Sequence, residues 1–236
     1  ETITTFHSAR FMEHPACDNC ILGGNPLHEE QLEIMTMLGG AQALNVVIDE
    51  ARRISMINFG EVVKSHMAAV DHVCAYAEVG VPERFPTVVT SAAGYPLDKT
   101  YYQTVKGMVG PLDILEPGGS LVVASACSEG MGSAEYVASQ RRLIEIGAEK
   151  FLREIEAKTH AAVDEWQTEM LLKPLRAGHV GLYTEGLSDE EFALTGVTQI
   201  ASVAAAVTEA VAAAGDNRVA VIPEGPYVVP RYRPEN

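Results

Sequence analysis

The chain has 236 residues, 47% of them apolar, which is enough for a globular protein with a substantial core. Its 32 acidic and 17 basic residues give a formal net charge of −15, and a field of that sign repels nucleic acid and anionic membranes, so neither is expected as a partner. No apolar run approaches the roughly 18 residues that span a bilayer, and the opening residues do not follow the signal-peptide pattern, so we expect a cytoplasmic protein.

The first part of the chain predicts helices around a β-hairpin. The opening "ETITTF" is typical of a helix, and Asn25 can cap a second helix that begins at Pro26 and ends at the glycines 39–40. "LNVVID" and "ISMINF" flank "EARR" and indicate a hairpin or two neighbouring strands. A further helix is predicted from about Glu61 to Glu78.

"GVPERFP", residues 80–86, is the predicted domain boundary because it holds two prolines and a glycine. Beyond it apolar strands alternate with helices, which predicts an α/β fold with a mainly parallel sheet layered between helices. The predicted elements are the strand "TVVTSA", a helix at 99–114, the strand "SLVVASA", helices at 133–157 and 161–176, the strand "HVGLYTE", helices at 188–195 and 199–214, and the strand "RVAVIP".

Three loops follow the carboxyl ends of predicted strands, at residues 90–96, 125–133 and 183–188. In open α/β sheets ligands bind beyond these ends, so we expect the functional site there.

The helix after "GYPLD" carries polar side chains opposite an apolar stripe. Gln103 and Lys106 lie on the polar side, and Asp98 or Thr100 can cap the helix. The free N–H groups of the first turn and the Lys106 ammonium could hold a carboxylate, with Gln103 as a directional partner. The same two side chains could equally face water, and the helical pattern alone does not separate these interpretations.

The cysteines and histidines do not encode a local metal site. "CDNC" is a C-x-x-C pair without a second pair downstream, so a four-thiolate zinc site cannot be built from it, and we interpret Cys17 and Cys20 as reduced loop thiols without a role. No two of the seven histidines have H-x-H or H-x-x-x-H spacing. A single imidazole such as His7 could still complete a metal site whose other donors come from a cofactor.

"ILEPGGSLVVAS" offers a second class of function. A Pro-Gly-Gly turn before a buried strand is familiar from methyltransferases that use S-adenosylmethionine. Those proteins also need a glycine-rich turn after an early strand and an acidic residue at the end of the next, and neither occurs here in order. The Pro-Gly-Gly segment is therefore interpreted as an ordinary turn between secondary-structure elements.

Five segments in order along the chain resemble the lactate racemase family. The resemblance covers nearly the whole chain, and Y-Y-Q-x-x-K after "GYPLD" is its most specific part. The segments are "GNPLHEEQLE", "LNVVIDE", "TSAAGYPLDKTYYQTVKGM", "LEPGGSLVVASACSEGMGS" and "VIPEGPYVVP".

The resemblance implies a racemase that interconverts the stereoisomers of a 2-hydroxy acid with a nickel pincer nucleotide. In the family, a carbon and two sulfurs of this pyridinium-derived cofactor bind nickel, and a histidine that corresponds to His7 is the fourth ligand. Tyr102, Gln103 and Lys106 match the family's substrate-contacting residues. The resemblance implies that Gln103 and Lys106 are catalytic and close over a small anionic substrate and the cofactor. Trp166 falls where the family has a tryptophan near the substrate.

The resemblance also implies a domain organisation. Residues 1–80 are expected to be the end of a cofactor-bearing first domain and residues 81–236 an α/β second domain, with 206–236 packing back on the first. The family's other catalytic residues belong to a half that would precede this sequence, so we expect the chain alone to be inactive, with His7 on a fraying terminus that binds nickel weakly. A non-catalytic domain that binds a nucleotide or anion, or that mediates assembly, is the alternative, and a homo-oligomer is compatible with both.

Overall fold

The computed structural model describes residues 2–49 and 51–234 and separates into two compact units. One unit is Glu13–Val79, and the described residues before and after it form the other. The division therefore falls at the start of "GVPERFP", but residues 2–12 belong with the later unit rather than with the residues that follow them. The assignment of these units to domains of a longer protein stays a prediction.

Helices and strands are numbered along the chain. Before the division they are α1 (Thr2–Phe6), α2 (Ala9–Met12), α3 (Pro26–Met37), β1 (Gln42–Ile48), β2 (Ile54–Glu61) and α4 (Val62–Ala77), and β3 (Glu78–Val81) spans it. The later elements are β4 (Phe85–Ser91), α5 (Tyr101–Val109), β5 (Leu115–Ala124), α6 (Ala134–Ile146), α7 (Ala148–Glu156), α8 (Glu165–Ala177), β6 (His179–Tyr183), α9 (Asp189–Phe192), β7 (Thr198–Gln199), α10 (Val203–Ala214), β8 (Val219–Ile222) and β9 (Val229–Tyr232). None of the helices in the described ranges is long and apolar enough to cross a bilayer.

The unit Glu13–Val79 is built on the predicted hairpin, because β1 and β2 pair antiparallel and α4 packs on both. The face towards α4 is mixed, with Ala43, Val47 and Met56 beside two asparagines. Asn45 donates to the Ser65 hydroxyl at 2.9 Å, and that hydroxyl donates to the Asn58 carbonyl at 3.3 Å. The opposite face is apolar and exposed, with Leu44 at 62% and Phe59 at 64% of full exposure. The hairpin therefore exposes its more apolar face instead of burying it against its own helix.

The later unit holds a parallel five-stranded sheet in the order β7-β6-β5-β4-β8, which confirms the predicted fold class. Consecutive strands β4 to β7 add in one direction, and β8 then pairs on the other side of β4. The connection through α10 runs from β7 back to β8, in the direction opposite to the connections through α5 and α8. Since such crossovers are right-handed, α5 and α8 lie on one face of the sheet and α10 lies on the other. The carboxyl ends of β4 and β8 therefore flank the point where the strand order reverses.

Helix α5 packs directly on the backbone at the end of β4. A Cβ atom on Gly107 would lie 2.7 Å from the Ser91 carbonyl oxygen and 3.4 Å from the Ala92 Cα. The apolar stripe of α5 faces the core as predicted, with Val105 and Met108 fully buried. Only glycine lets the helix approach the strand this closely, so Gly107 sets the depth at which α5 sits.

Two predicted helices are wrong in extent. The helix at 99–114 ends at Val109, because Pro111 cannot donate a backbone hydrogen bond, and the chain continues as a 3₁₀ turn into β5. The helix at 133–157 is two helices, because Gly147 adopts a φ of 81° that breaks the hydrogen-bond series.

Two other helices begin later than predicted. The helix predicted at 161–176 begins only at Glu165, after Asp164 in a left-handed conformation with φ 59°. The helix predicted at 199–214 begins at Val203, because residues 198–199 pair with β6 as an edge strand. Strands β3 and β9, which pair with each other, were not predicted.

We predict that Gly107→Ala destabilises the protein. The new methyl group meets backbone that cannot move aside, which costs about 1–3 kcal/mol, although alanine's helix propensity alone would add up to about 1 kcal/mol of stability. Denaturant unfolding followed by circular dichroism measures the change. The control is Gly23→Ala, where a Cβ meets nothing within 4 Å, and its effect should stay within about 0.5 kcal/mol. A Gly107→Ala variant as stable as the parent would contradict the close approach.

Candidate functional site

The loops that follow β4, β5 and β6 lie at one edge of the sheet, because parallel strands end on the same side. Two of them are joined through their backbones. The Asp98 carbonyl accepts from the Cys127 N–H at 2.7 Å, and the Met131 carbonyl accepts from the Tyr102 N–H at 3.0 Å. The first turn of α5 is therefore held by the loop after β5 as well as by its own strand.

The residues predicted on α5 sit at this edge. Thr100, rather than Asp98, is the N-cap, and its hydroxyl accepts from the Gln103 N–H at 3.3 Å. Tyr102 and Gln103 are half-buried in the first turn, and Lys106 is exposed in the next.

Four predicted site residues from three distant segments form one chain of contacts. The His7 ring lies 5.2 Å from the Trp166 ring, and the Trp166 ring meets the Tyr102 ring edge-on at 5.9 Å. The Lys106 Nζ then lies 5.8 Å from the centre of the Tyr102 ring, within range of a cation–π interaction. Gln103 is next to Tyr102 along α5, but it takes no part in these ring contacts.

His7 is anchored rather than placed on a fraying terminus. Its segment is tied to the residues before α8, because the Thr4 carbonyl accepts from the Ala161 N–H at 2.8 Å. The His7 Nδ1 lies 2.9 Å from the Ile3 carbonyl oxygen, which can only accept. In the neutral imidazole the proton is therefore on Nδ1, and Nε2 keeps the lone pair that a metal requires.

An open cleft of about 490 Å³ lies beside Tyr102. The acidic groups in its wall have partners: Glu129 is paired with Lys99, and Asp164 accepts from the Ser133 hydroxyl at 2.5 Å. Of the predicted residues the cleft includes Tyr102 alone. Its lining is Thr100, Tyr102, Glu129, Gly132, Ser133 and Asp164.

Tyr102 is held in its neutral form. Burial, the negative charge of Asp164 and a hydrogen bond to that carboxylate together raise the pKa of Tyr102 to about 12. The phenol is therefore a hydrogen-bond donor at neutral pH and not a base.

Asp164 and Ser133 were not among the predicted site residues. The only signal was an acidic residue at a helix start, and such residues are common there for local electrostatic reasons. The contact with Tyr102 joins segments far apart in the sequence, which no local pattern reveals.

His7 would be a solitary metal donor. Among the residues that the structure describes, one group of three potential ligands lies close together, and it is Cys20, Cys74 and Glu78 in the unit Glu13–Val79. A cofactor that brings most of its own donor atoms and needs one imidazole fits His7, whereas a metal held by protein side chains alone does not.

The chain is similar to two curated lactate racemases. It is 26% identical to the enzyme from Thermoanaerobacterium thermosaccharolyticum over 99% of this chain and 55% of the relative. It is 24% identical to the enzyme from Lactiplantibacillus plantarum over 97% of this chain and 54% of the relative. The chain thus spans about half the length of the curated relatives it matches.

The fold agrees with these sequence similarities. The solved lactate racemase apoprotein from Thermoanaerobacterium thermosaccharolyticum superposes with a TM-score of 0.88 at 26% identity, over 97% of this chain and 55% of that one. The sequence profile of the lactate racemase C-terminal domain matches residues 83–229, which include the sheet, α5 and the loops at its carboxyl edge. The chain therefore belongs to the lactate racemase family.

Proposed function

We propose that this chain supplies part of the active site of a 2-hydroxy-acid racemase that uses a nickel pincer nucleotide. The observation that carries the proposal is the chain of contacts from His7 through Trp166 and Tyr102 to Lys106. A metal-competent imidazole, aromatic walls and an exposed cation are the groups needed at the meeting point of a metal cofactor and an anionic substrate.

His7 would donate Nε2 to the nickel, because its Nδ1–H is committed to the Ile3 carbonyl. When bound, the cofactor supplies an electron-poor ring that takes the hydrogen on C2 as hydride and returns it to either face, which avoids a carbanion beside a carboxylate.

Lys106 would bind the substrate carboxylate. Lys99, the other lysine at this edge, is paired with Glu129, whereas Lys106 has no carboxylate partner among the described residues. In a protein with a net charge of −15, an anion binds only where a local cation outweighs the overall field. Gln103, one turn before Lys106, would fix the orientation of the bound acid through its amide.

Tyr102 would act as a wall and a donor and not as the base that removes the hydroxyl proton, because its pKa is raised to about 12. Trp166 would close the same wall on the side of His7. The base that removes the hydroxyl proton would then be a residue other than Tyr102 or Trp166. This is compatible with the fact that the chain spans about half the length of its relatives.

The alternative is a non-catalytic anion-binding domain, which would use the same Lys106 and the start of α5. Turnover separates the two functions, because only the racemase converts one stereoisomer into the other.

We predict that Lys106→Gln in the complete gene product, produced with the cofactor-maturation system, lowers kcat/KM about 10- to 100-fold. The reason is the loss of a charge-assisted hydrogen bond worth about 1.5–3 kcal/mol. Chiral chromatography of lactate, malate and aromatic 2-hydroxy acids measures the rate. Lys150→Gln removes the same charge from an exposed helix position and should leave kcat/KM unchanged. Equal rates in both variants would exclude Lys106 from the site, and binding without turnover in the parent would favour the non-catalytic domain.

We predict that Asp164→Asn lowers the pKa of Tyr102 from about 12 towards 10.0, because the carboxylate charge is removed while burial remains. The pKa of Tyr102 is higher in the folded state than in the unfolded state, so the neutral phenol contributes to the stability of the folded protein. This contribution is complete below pH 10.0 and is lost as the pH rises to about 12. Ultraviolet titration of tyrosinate follows the shift, with Tyr102→Phe to identify the signal. Asparagine tolerates the left-handed backbone at 164, so folding should persist. An unshifted titration would rule out the Asp164 contact.

We predict that His7→Ala weakens retention of nickel at least about tenfold in the loaded gene product, because one metal ligand is lost. Elemental analysis of nickel per chain gives the occupancy without relying on activity. His179→Ala is the control, since His179 is exposed at the start of β6, the opposite end of the strand from the site. Full occupancy in His7→Ala would refute the assignment.

A further inference from the structure

The unit Glu13–Val79 brings together three metal-ligating side chains that the sequence keeps apart. The Sγ atoms of Cys20 and Cys74 and a carboxylate oxygen of Glu78 all lie within 4.8 Å of one another. Cys20 is exposed and the other two are half-buried, so the group can be reached from solvent. Cys20 of the C-x-x-C motif therefore has a second thiol close to it, and that thiol is Cys74 of α4.

Local structure explains the arrangement. Cys74 and Glu78 are four residues apart at the end of α4, and the Glu78 N–H donates to the Cys74 carbonyl, so both side chains project from the same side of the last turn. Cys20 comes from the loop before α3 and has a left-handed φ of 57°. Short turns such as Ile21 N–H to the Asp18 carbonyl, at 3.3 Å, shape that loop.

We propose that Cys20, Cys74 and Glu78 form a binding site for a thiophilic divalent cation, with Zn²⁺ as the best fit. Two thiolates and a carboxylate are ordinary zinc ligands, and a tetrahedral site with Zn–S bonds of about 2.3 Å separates its sulfurs by about 3.8 Å. The observed spread of up to 4.8 Å closes to this value with small side-chain rotations. Water completes the fourth position, and the thiolates select against Mg²⁺ and Ca²⁺.

The site is independent of the proposed racemase chemistry. It shares no residue with the contacts around Tyr102, and all its ligands come from Glu13–Val79. Its role is structural: a cation would join the loop before α3 to the end of α4, and binding would stabilise the folded unit. Cys17, the other member of the motif, is buried and is not one of the three.

The test uses the full chain, reduced and freed of metal, without the pincer nucleotide. Titration with Zn²⁺ against a chromogenic chelator should give one tight site per chain, whose affinity falls at low pH because the thiols must release protons. Substitution with Co²⁺ should give an intense near-ultraviolet thiolate-to-metal band and the visible bands of tetrahedral cobalt. A protein that binds no Zn²⁺ in competition with the chelator, or Co²⁺ without the thiolate band, overturns the proposal.

Variants identify the ligands. Cys20→Ser, Cys74→Ser and Glu78→Gln should each weaken Zn²⁺ binding at least about 100-fold, since even the loss of an outer-shell partner costs about 10- to 100-fold. The matched controls, which should bind Zn²⁺ like the parent, are Cys17→Ser in the same motif, Cys127→Ser in the other unit and Asp71→Asn on the exposed side of α4.

The controls also decide between sites. Tight binding that is lost in Cys17→Ser but kept in Cys74→Ser would assign the metal to the C-x-x-C motif and overturn the proposal. So would a disulfide between Cys20 and Cys74 that persists under reducing conditions and prevents binding. Zn²⁺ should raise the thermal midpoint of the parent but not that of Cys74→Ser, and circular dichroism confirms that each variant is folded.

Discussion

The close approach of α5 to the end of β4 is the constraint on which the candidate site depends. Gly107 allows the helix to touch the Ser91 carbonyl, and the Thr100 cap fixes the residue at which the helix begins. Once the distance of α5 from β4 and its first residue are fixed, helical geometry determines the direction of each side chain on α5. Tyr102 then meets Trp166, and Lys106 projects past the Tyr102 ring to solvent. A small shift of this one helix would separate the aromatic wall from the cation.

Electrostatics at the carboxyl edge explains how so acidic a chain could receive an anion. Three acids near the site have partners: Glu129 pairs with Lys99, Glu165 pairs with Lys158, and Asp164 accepts from the Ser133 hydroxyl. Paired carboxylates project less field than isolated ones, so the Lys106 ammonium is not cancelled locally. Burial, together with the charge of Asp164 and its hydrogen bond, raises the pKa of Tyr102 and keeps the phenol a neutral donor.

The sequence predicted the features that depend on local periodicity. The stripe of α5, the antiparallel hairpin and the series of buried parallel strands each have a short repeat that their residues satisfy. The break at Gly147 was missed, because a glycine is tolerated inside some helices and ends others. Strands β3 and β9 were missed because each has four residues and is defined by its pairing across the chain rather than by its own pattern.

The candidate site was predictable only in part, because only some of its contacts lie within one helix. The residues of Y-Y-Q-x-x-K lie in one helix, so their relation to one another could be derived from the sequence. The meeting of His7 with Trp166, the hydrogen bond from Tyr102 to Asp164 and the approach of Cys20 to Cys74 all close long loops. Local patterns carry no record of such closures, because each is decided by the packing of whole elements. Only the family resemblance predicted that His7, Tyr102 and Trp166 belong to one site.

The division of the chain determines how the two candidate sites relate energetically. Residues 2–12 fold with the later unit, so every contact from His7 to Lys106 belongs to one unit, although the unit Glu13–Val79 interrupts its sequence. The cysteine and glutamate ligands lie wholly within the interrupting unit. The two sites therefore share no residue, and each belongs to a single unit. The metal site can therefore be removed by substitution while the aromatic contacts around Tyr102 remain, and the reverse holds as well.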